Sequence, residues 1–193
     1  MTTSNAIELV LEGWRKTVAF IASGHATDFS GRMKERQVFR RVRQEISELT
    51  QDLSLALERP FERWHIDLVA ATKDERLAVE GKFKVQGDGA IPDNRKAAFY
   101  DLFKLERYVD SGNYSSGLFL WLTDEDSYRR AATGDSRDFS THHGRVYEPG
   151  KMLRAVRSRS EMPLPLSLTR RYEFSWQRVS GPWYALELSI LAI

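Results

Sequence analysis

The chain has 193 residues, 41% apolar and 29% charged, with a net charge of +2 and no cysteine. That length suits one domain with a substantial core. The composition excludes a disulfide framework, a thiolate metal site and a cysteine nucleophile, and the small net charge restricts any nucleic-acid signal to local patches.

The N-terminal segment, 1–24, is expected to be an amphipathic helix. Ile7, Val10, Leu11, Trp14, Val18 and Ile21 trace one face, Asn5 with Glu8 forms a capping box, and Ser23-Gly24 is the stop. Glu8, Glu12, Arg15 and Lys16 interrupt its apolar positions, so it reads neither as a secretory leader nor as a membrane span. A cytoplasmic location is the expectation. A second helix is expected from about Gly31 to Thr50, capped by Ser30, with Val38, Phe39, Val42, Ile46 and Leu49 inward. Arg36, Arg40 and Arg43 belong to a basic face that suits phosphates.

Leu53 to Glu58 alternates as a first strand, and Arg59-Pro60-Phe61-Glu62 is read as a turn. The next two strands are a hairpin. In 77–85, Leu77, Val79, Phe83 and Val85 share one face, while Ala78, Glu80, Lys82 and Lys84 share the other. A turn at Lys73-Asp74 sets Thr72 opposite Glu75. Counting outward, Asp67 falls opposite Glu80 and His65 opposite Lys82. Two opposed carboxylates destabilise a sheet unless a cation lies between them, and hard oxygen ligands in that number suit Mg²⁺.

Gln86 to Pro92 is a loop, followed by a helix from Asn94 to about Asp110, capped by Asp93 and ended by Gly112. Ala98, Leu102, Leu105 and Val109 mark its buried face. Gly117 to Leu122 is uninterrupted apolar sequence, the mark of a strand covered on both faces and reached by a parallel crossover. Asp124-Glu125-Asp126 reads as a helix-start cluster, and His142-His143 has no spaced partner for a metal. Lys151, Arg154, Arg157, Arg159, Arg170 and Arg171 form a second basic region. Tyr172–Val179 and Trp183–Ile190 read as a C-terminal hairpin (172–190), with Tyr172, Phe174 and Trp176 as core or interface residues.

From about Arg32 to Thr123 this pattern resembles the PD-(D/E)XK nuclease superfamily, which has the restriction-endonuclease-like fold. Ile66-Asp67-Leu68-Val69 is similar to the family's Asp strand, and Ala78-Val79-Glu80-Gly81-Lys82 to its Glu-x-Lys strand. Gly81 stands where a larger apolar residue is commoner. The resemblance implies an α/β fold for the single domain 1–193. Its αβββαβ core (32–123) would have a mixed sheet, with the N-terminal helix and C-terminal hairpin as additions.

It further implies a Mg²⁺-dependent endonuclease, with Mn²⁺ as a substitute, acting on nucleic acid and preferably DNA. Asp67, Glu80 and the Gly81 carbonyl would ligate the metal, Lys82 would act in the chemical step, and Glu35 would complete the catalytic set, with Glu45 as its rival. Two active sites in a homodimer would allow double-strand cutting, and no membrane is involved. The alternative is a catalytically inactive protein of the same fold that binds nucleic acid or a protein partner.

Overall fold

A computed structural model describes residues 6–29, 34–155 and 164–191. The protein is α/β, with a six-stranded mixed sheet covered on both faces. Helices α1 (Ala6–Phe20) and α2 (Lys34–Leu49) precede strands β1 (Ser54–Phe61), β2 (Trp64–Ala71) and β3 (Arg76–Lys84). Helix α3 (Ile91–Asp110) then leads to β4 (Ser116–Thr123). Four short strands follow: β5 (Arg145–Tyr147), β6 (Met152–Leu153), β7 (Leu166–Ser167) and β8 (Tyr172–Phe174). The hairpin β9 (Gln177–Ser180) and β10 (Trp183–Leu191) ends the chain's strands. The sheet order is β1-β2-β3-β4-β10-β9, and only β3 and β4 run parallel among its neighbours.

On one face, Val10, Trp14 and Val18 of α1 and Val38, Phe39, Val42 and Ile46 of α2 cover Leu68, Leu77, Val79 and Phe83. The two helices approach closely because Gly13 has no side chain: a Cβ there would lie 2.5 Å from Ile46 Cγ1. After Phe20 the chain makes a wide turn over Ile21–His25, and Gly24, at φ 115°, takes the left-handed conformation that stops the helix. The expected caps Asn5 and Ser30 and the expected start at Gly31 lie outside the described residues.

The first strand differs from expectation. It does not end at Glu58 but runs through Pro60 to Phe61, and the turn falls at Glu62-Arg63. Pro60 is tolerated because β1 is an edge strand. Helix α3 also begins earlier than expected, at Ile91, with Pro92 in its first turn and no side-chain cap. Asp93 thus acts as a first-turn acid at the positive end of the helix dipole, not as the cap.

All eight residues of β4 are buried, as its unbroken apolar sequence implies. The C-terminal strands are not one hairpin from Tyr172. β8 pairs with β5, while β10 joins the main sheet antiparallel to β4. Tyr172, Phe174 and Trp176 are buried, Phe174 stacking on Phe99 of α3 at 5.4 Å. Glu106 of α3 fastens this region. Its carboxylate accepts from the N–H groups of Thr169 and Arg170 and from the Tyr172 hydroxyl, at 2.8–2.9 Å. No helix among the described residues is long and apolar enough to cross a membrane.

Candidate active site at a fork between two strands

The β2–β3 ladder begins at a turn closed by Thr72 N–H donating to Glu75 O at 2.9 Å. It continues through Ala71↔Arg76, Ala70↔Leu77, Val69↔Ala78 and Leu68↔Val79, the register that the turn implies. There it stops. β2 stays paired with β1 as far as Trp64, and β3 stays paired with β4 as far as Lys84, so the sheet forks. Asp67 turns its carboxylate into the fork, where Oδ2 accepts from the Gly81 N–H at 2.9 Å. A side-chain acceptor thus replaces the next rung of the ladder.

Two expectations are corrected by this fork. Asp67 and Glu80 are not joined as a backbone pair. His65 does not lie opposite Lys82; it is exposed and pairs with Pro60 of β1, because β2 has already parted from β3. Gly81 is explained by the same packing. A Cβ there would sit 2.6 Å from Phe39 Cζ and 2.7 Å from the Leu120 carbonyl oxygen.

Glu80 and Lys82 face α3, which meets them with three polar side chains. Glu80 is 2% exposed. Its Oε2 accepts from Lys104 Nζ at 2.8 Å and its Oε1 from the Tyr108 hydroxyl at 3.1 Å. Lys82 is ion-paired with Asp101, whose other oxygen lies 2.8 Å from Lys104. Lys82 Nζ is also 3.4 Å from the Gly81 carbonyl.

Three carboxylates therefore share two ammonium groups. Burial raises the two acids nearest the fork. Burial, reinforced by Asp101, pushes Asp67 up to about 6 against the pull of Lys82 and Lys104. Burial and the Asp67 charge hold Glu80 well above the usual carboxylate range. Asp101 behaves oppositely: burial alone would raise it, but Lys104 and Lys82 outweigh burial and lower it. Burial works against the charge on Lys82, yet Asp101, Glu35 and Asp67 overcome it and keep the ammonium protonated.

Glu35, in the first turn of α2, reaches β3 from the other side. It pairs with Lys84 Nζ at 2.7 Å and lies 3.4 Å from the Phe83 N–H. Glu45 is tied to Arg41 at 2.7 Å further along the helix, so Glu35 is the helix glutamate beside the fork.

Of the three arginines, Arg36 is engaged with Glu58 at 3.1 Å. Arg40 and Arg43 are exposed and line a shallow groove of about 440 Å³ with Gln44, Ser47 and Leu57. If DNA follows this groove, replacing both by glutamine should weaken binding. It should also reduce the slope of log K against log salt by about 0.9 for each phosphate that the variant no longer neutralises. Filter binding across a salt series measures this, and an unchanged slope would show that the helix face is merely solvated.

The other candidates resolve simply. Asp124 accepts from Gln86 N–H at 2.6 Å, Glu125 caps the short helix Asp126–Arg129, and Asp126 pairs with Arg129 and Arg130. His142 Nδ1 is 2.8 Å from Ser140 Oγ. In the second basic region Arg170 is held by Asp110 at 2.6 Å, while Arg157 and Arg159 lie outside the described residues.

Asp101, Lys104 and Tyr108 were not legible as site residues. They flank the apolar stripe of α3 at helical spacing, and charged residues in such places ordinarily face solvent. The one local signal is the i,i+3 spacing of Asp101 and Lys104.

Compared with known protein families, curated proteins and solved structures, the chain matches none.

Among the described residues, no three His, Cys, Asp or Glu side chains converge as a metal cage. The donors at the fork are nevertheless hard oxygens of the number Mg²⁺ takes when it keeps several waters: two carboxylates and a backbone carbonyl. Asp67 Oδ1 has no hydrogen-bond partner among the described residues, and burial holds both acids above the usual carboxylate range. Asp67, Glu80 and the Gly81 carbonyl fit a divalent ion in kind and number.

Proposed function

We propose that this protein is a Mg²⁺-dependent endonuclease that hydrolyses DNA phosphodiester bonds on a restriction-endonuclease-like core. One observation carries the reading: the sheet forks after Leu68 and Val79, and Asp67, Glu80 and Lys82 are gathered at that fork. A divalent ion bound by Asp67, Glu80 and Gly81 O would supply Lewis acidity and neutralise charge on the phosphate.

The chain's own residues account for the rest. Asp101 orients Lys82, whose ammonium stays protonated and stabilises charge that develops on the phosphate. Lys104 and Tyr108 fix the orientation of Glu80. Glu35 holds Lys84 and adds to the field that keeps Lys82 charged.

A second reading is a nuclease-fold module that binds DNA or a protein without hydrolysis. One observation favours it: both Glu80 oxygens already have protein partners.

Asp67→Asn separates the two readings. The amide keeps an acceptor for the Gly81 N–H but removes a charge that the fold disfavours. Because the folded pKa of about 6 lies above the unfolded value of 3.8, stability from this group is full below about pH 4 and is lost as pH rises through 6. The variant should therefore be more stable than the parent at pH 7 by about 1–3 kcal/mol, with the difference vanishing near pH 4. Millimolar Mg²⁺ should raise the parent's melting temperature and leave the variant's unchanged. Supercoiled plasmid and single-stranded circular DNA are offered side by side, and cutting of either should be seen only with the parent. Mg²⁺ stabilisation without cutting of any DNA would favour the second reading, and no Mg²⁺ effect on the parent would remove the metal site.

A further inference from the structure

Three partly buried aromatic side chains stand beside the fork and have no part in the chemistry above. Trp64 begins β2, three residues before Asp67, and Tyr100 and Phe103 lie on α3 one turn before Lys104 and immediately before it. Their rings are in mutual contact. Trp64 meets Tyr100 edge-on at 6.3 Å and Phe103 edge-on at 6.4 Å, while Tyr100 and Phe103 are nearly parallel at 6.2 Å.

The Trp64 indole N–H donates to the Tyr100 hydroxyl at 2.9 Å, which ties the two rings together and satisfies the indole within the cluster. The cluster is joined to the acids on its inner side. Trp64 packs on Tyr108 at 6.0 Å, and Tyr108 donates to Glu80; Lys104 Nζ lies 6.0 Å from the Tyr100 ring and also holds Glu80.

The rim is basic. The Arg63 guanidinium lies 5.1 Å over the Trp64 ring, and Arg107 follows Phe103 by one turn of α3. Both arginines are exposed, and neither makes an ion pair among the described residues. A rigid aromatic surface with its indole N–H already satisfied offers a ligand the exposed parts of its rings. The flanking arginines offer charge to phosphates. Together these are the two components of a single-strand binding surface, where bases stack and the backbone is neutralised. A paired duplex keeps its base faces to itself and could use only the arginines.

We infer that Trp64, Tyr100 and Phe103 form a stacking platform for an unpaired base of the DNA strand whose phosphate occupies the fork. The inference rests on the DNA reading above and narrows its substrate to single-stranded, frayed or flapped DNA.

Tryptophan emission tests it. Trp14, Trp121, Trp176 and Trp183 are buried, so quenching by a stacked base reports on Trp64. The protein is titrated in EDTA with an oligo-dT of about 15 nucleotides, roughly one binding-site length, and with a blunt-ended duplex of two GC-rich complementary strands carrying about the same total number of phosphates. The oligo-dT should quench the emission and the duplex should not. Trp64→Phe should retain most of the oligo-dT affinity and lose the quench. Trp64→Leu and, separately, Tyr100→Leu should each weaken oligo-dT binding by between about fivefold and a hundredfold, while duplex binding is unchanged. Requiring the same loss from Tyr100→Leu, with unchanged thermal melting, guards against a folding defect at Trp64.

Unchanged emission with oligo-dT, equal quenching by the blunt duplex, or parental oligo-dT affinity in both leucine variants would overturn the platform. The two readings fail separately. Cleavage of plasmid without quenching leaves the nuclease and removes the platform; quenching without cleavage in Mg²⁺ leaves the platform and removes the hydrolysis.

Discussion

Replacing Lys82 by methionine should lower single-turnover cleavage by on the order of 10²–10³, the scale of losing one preorganised donor to a developing charge. Methionine keeps an unbranched stem of similar length and removes only the ammonium. In the parent that ammonium is mostly buried and aimed by Asp101, and three carboxylates hold it protonated. It need not reorganise as charge builds on the phosphate, which is why its loss should fall on the chemical step. Mg²⁺ stabilisation and DNA affinity should stay near parental values, because neither carboxylate proposed as a metal ligand is touched. Asp101 retains Lys104 as a partner, which limits the cost of leaving a buried carboxylate uncompensated. Matched measurements of thermal shift with Mg²⁺, oligonucleotide binding and single-turnover rate make the comparison. Cleavage at the parental rate would assign any activity to another site, and the nuclease reading would fail at its centre.

The largest effect on folding is expected at Gly81. Adding one methyl group, Gly81→Ala, should destabilise the protein by about 3 kcal/mol, the upper end of overpacking a close-packed interior. The new Cβ would lie 2.6 Å from Phe39 and 2.7 Å from the Leu120 carbonyl. The phenyl ring can yield, but the carbonyl belongs to the neighbouring strand of a parallel ladder and cannot move alone. Adding Phe39→Leu should therefore restore only part of the loss. Urea unfolding of the two variants measures both quantities. A Gly81→Ala midpoint equal to the parent's would mean that β3 and β4 separate more easily than their packing implies. The same substitution should disturb the fork, since the Gly81 N–H is what seats Asp67.

How much of this was legible beforehand depended on how local the cause was. The hairpin register follows from the turn at Thr72–Glu75 and the two-residue period of the strand, both set by neighbouring residues. The buried character of β4 is written in its unbroken apolar run, and the inward faces of α1 and α2 in theirs. That Glu80 and Lys82 share a face, opposite Val79 and Phe83, needed only alternation. These features depend on neighbours in sequence, so pattern alone determined them.

The fork did not follow from pattern. A period of two continues the ladder to Asp67 and Glu80, whereas the chain opens it there. β1 and β4 hold β2 and β3 apart on their outer sides, and Asp67 can satisfy the Gly81 N–H with its own carboxylate. Nor could sequence place Glu35 rather than Glu45 at the site, since both lie near the rim of the apolar stripe and only the seating of α2 on β3 distinguishes them. Asp101, Lys104 and Tyr108 lie outside the apolar stripe read from sequence, and only the rotation of α3 turns them onto Glu80 and Lys82. β10 likewise found its partner in β4, far earlier in the chain. Local sequence determined the strands, their faces and the charges they carry. Tertiary packing decided where the strands part and which distant side chains compensate the buried acids, because a buried charge is settled by whatever the fold brings within a few ångströms of it.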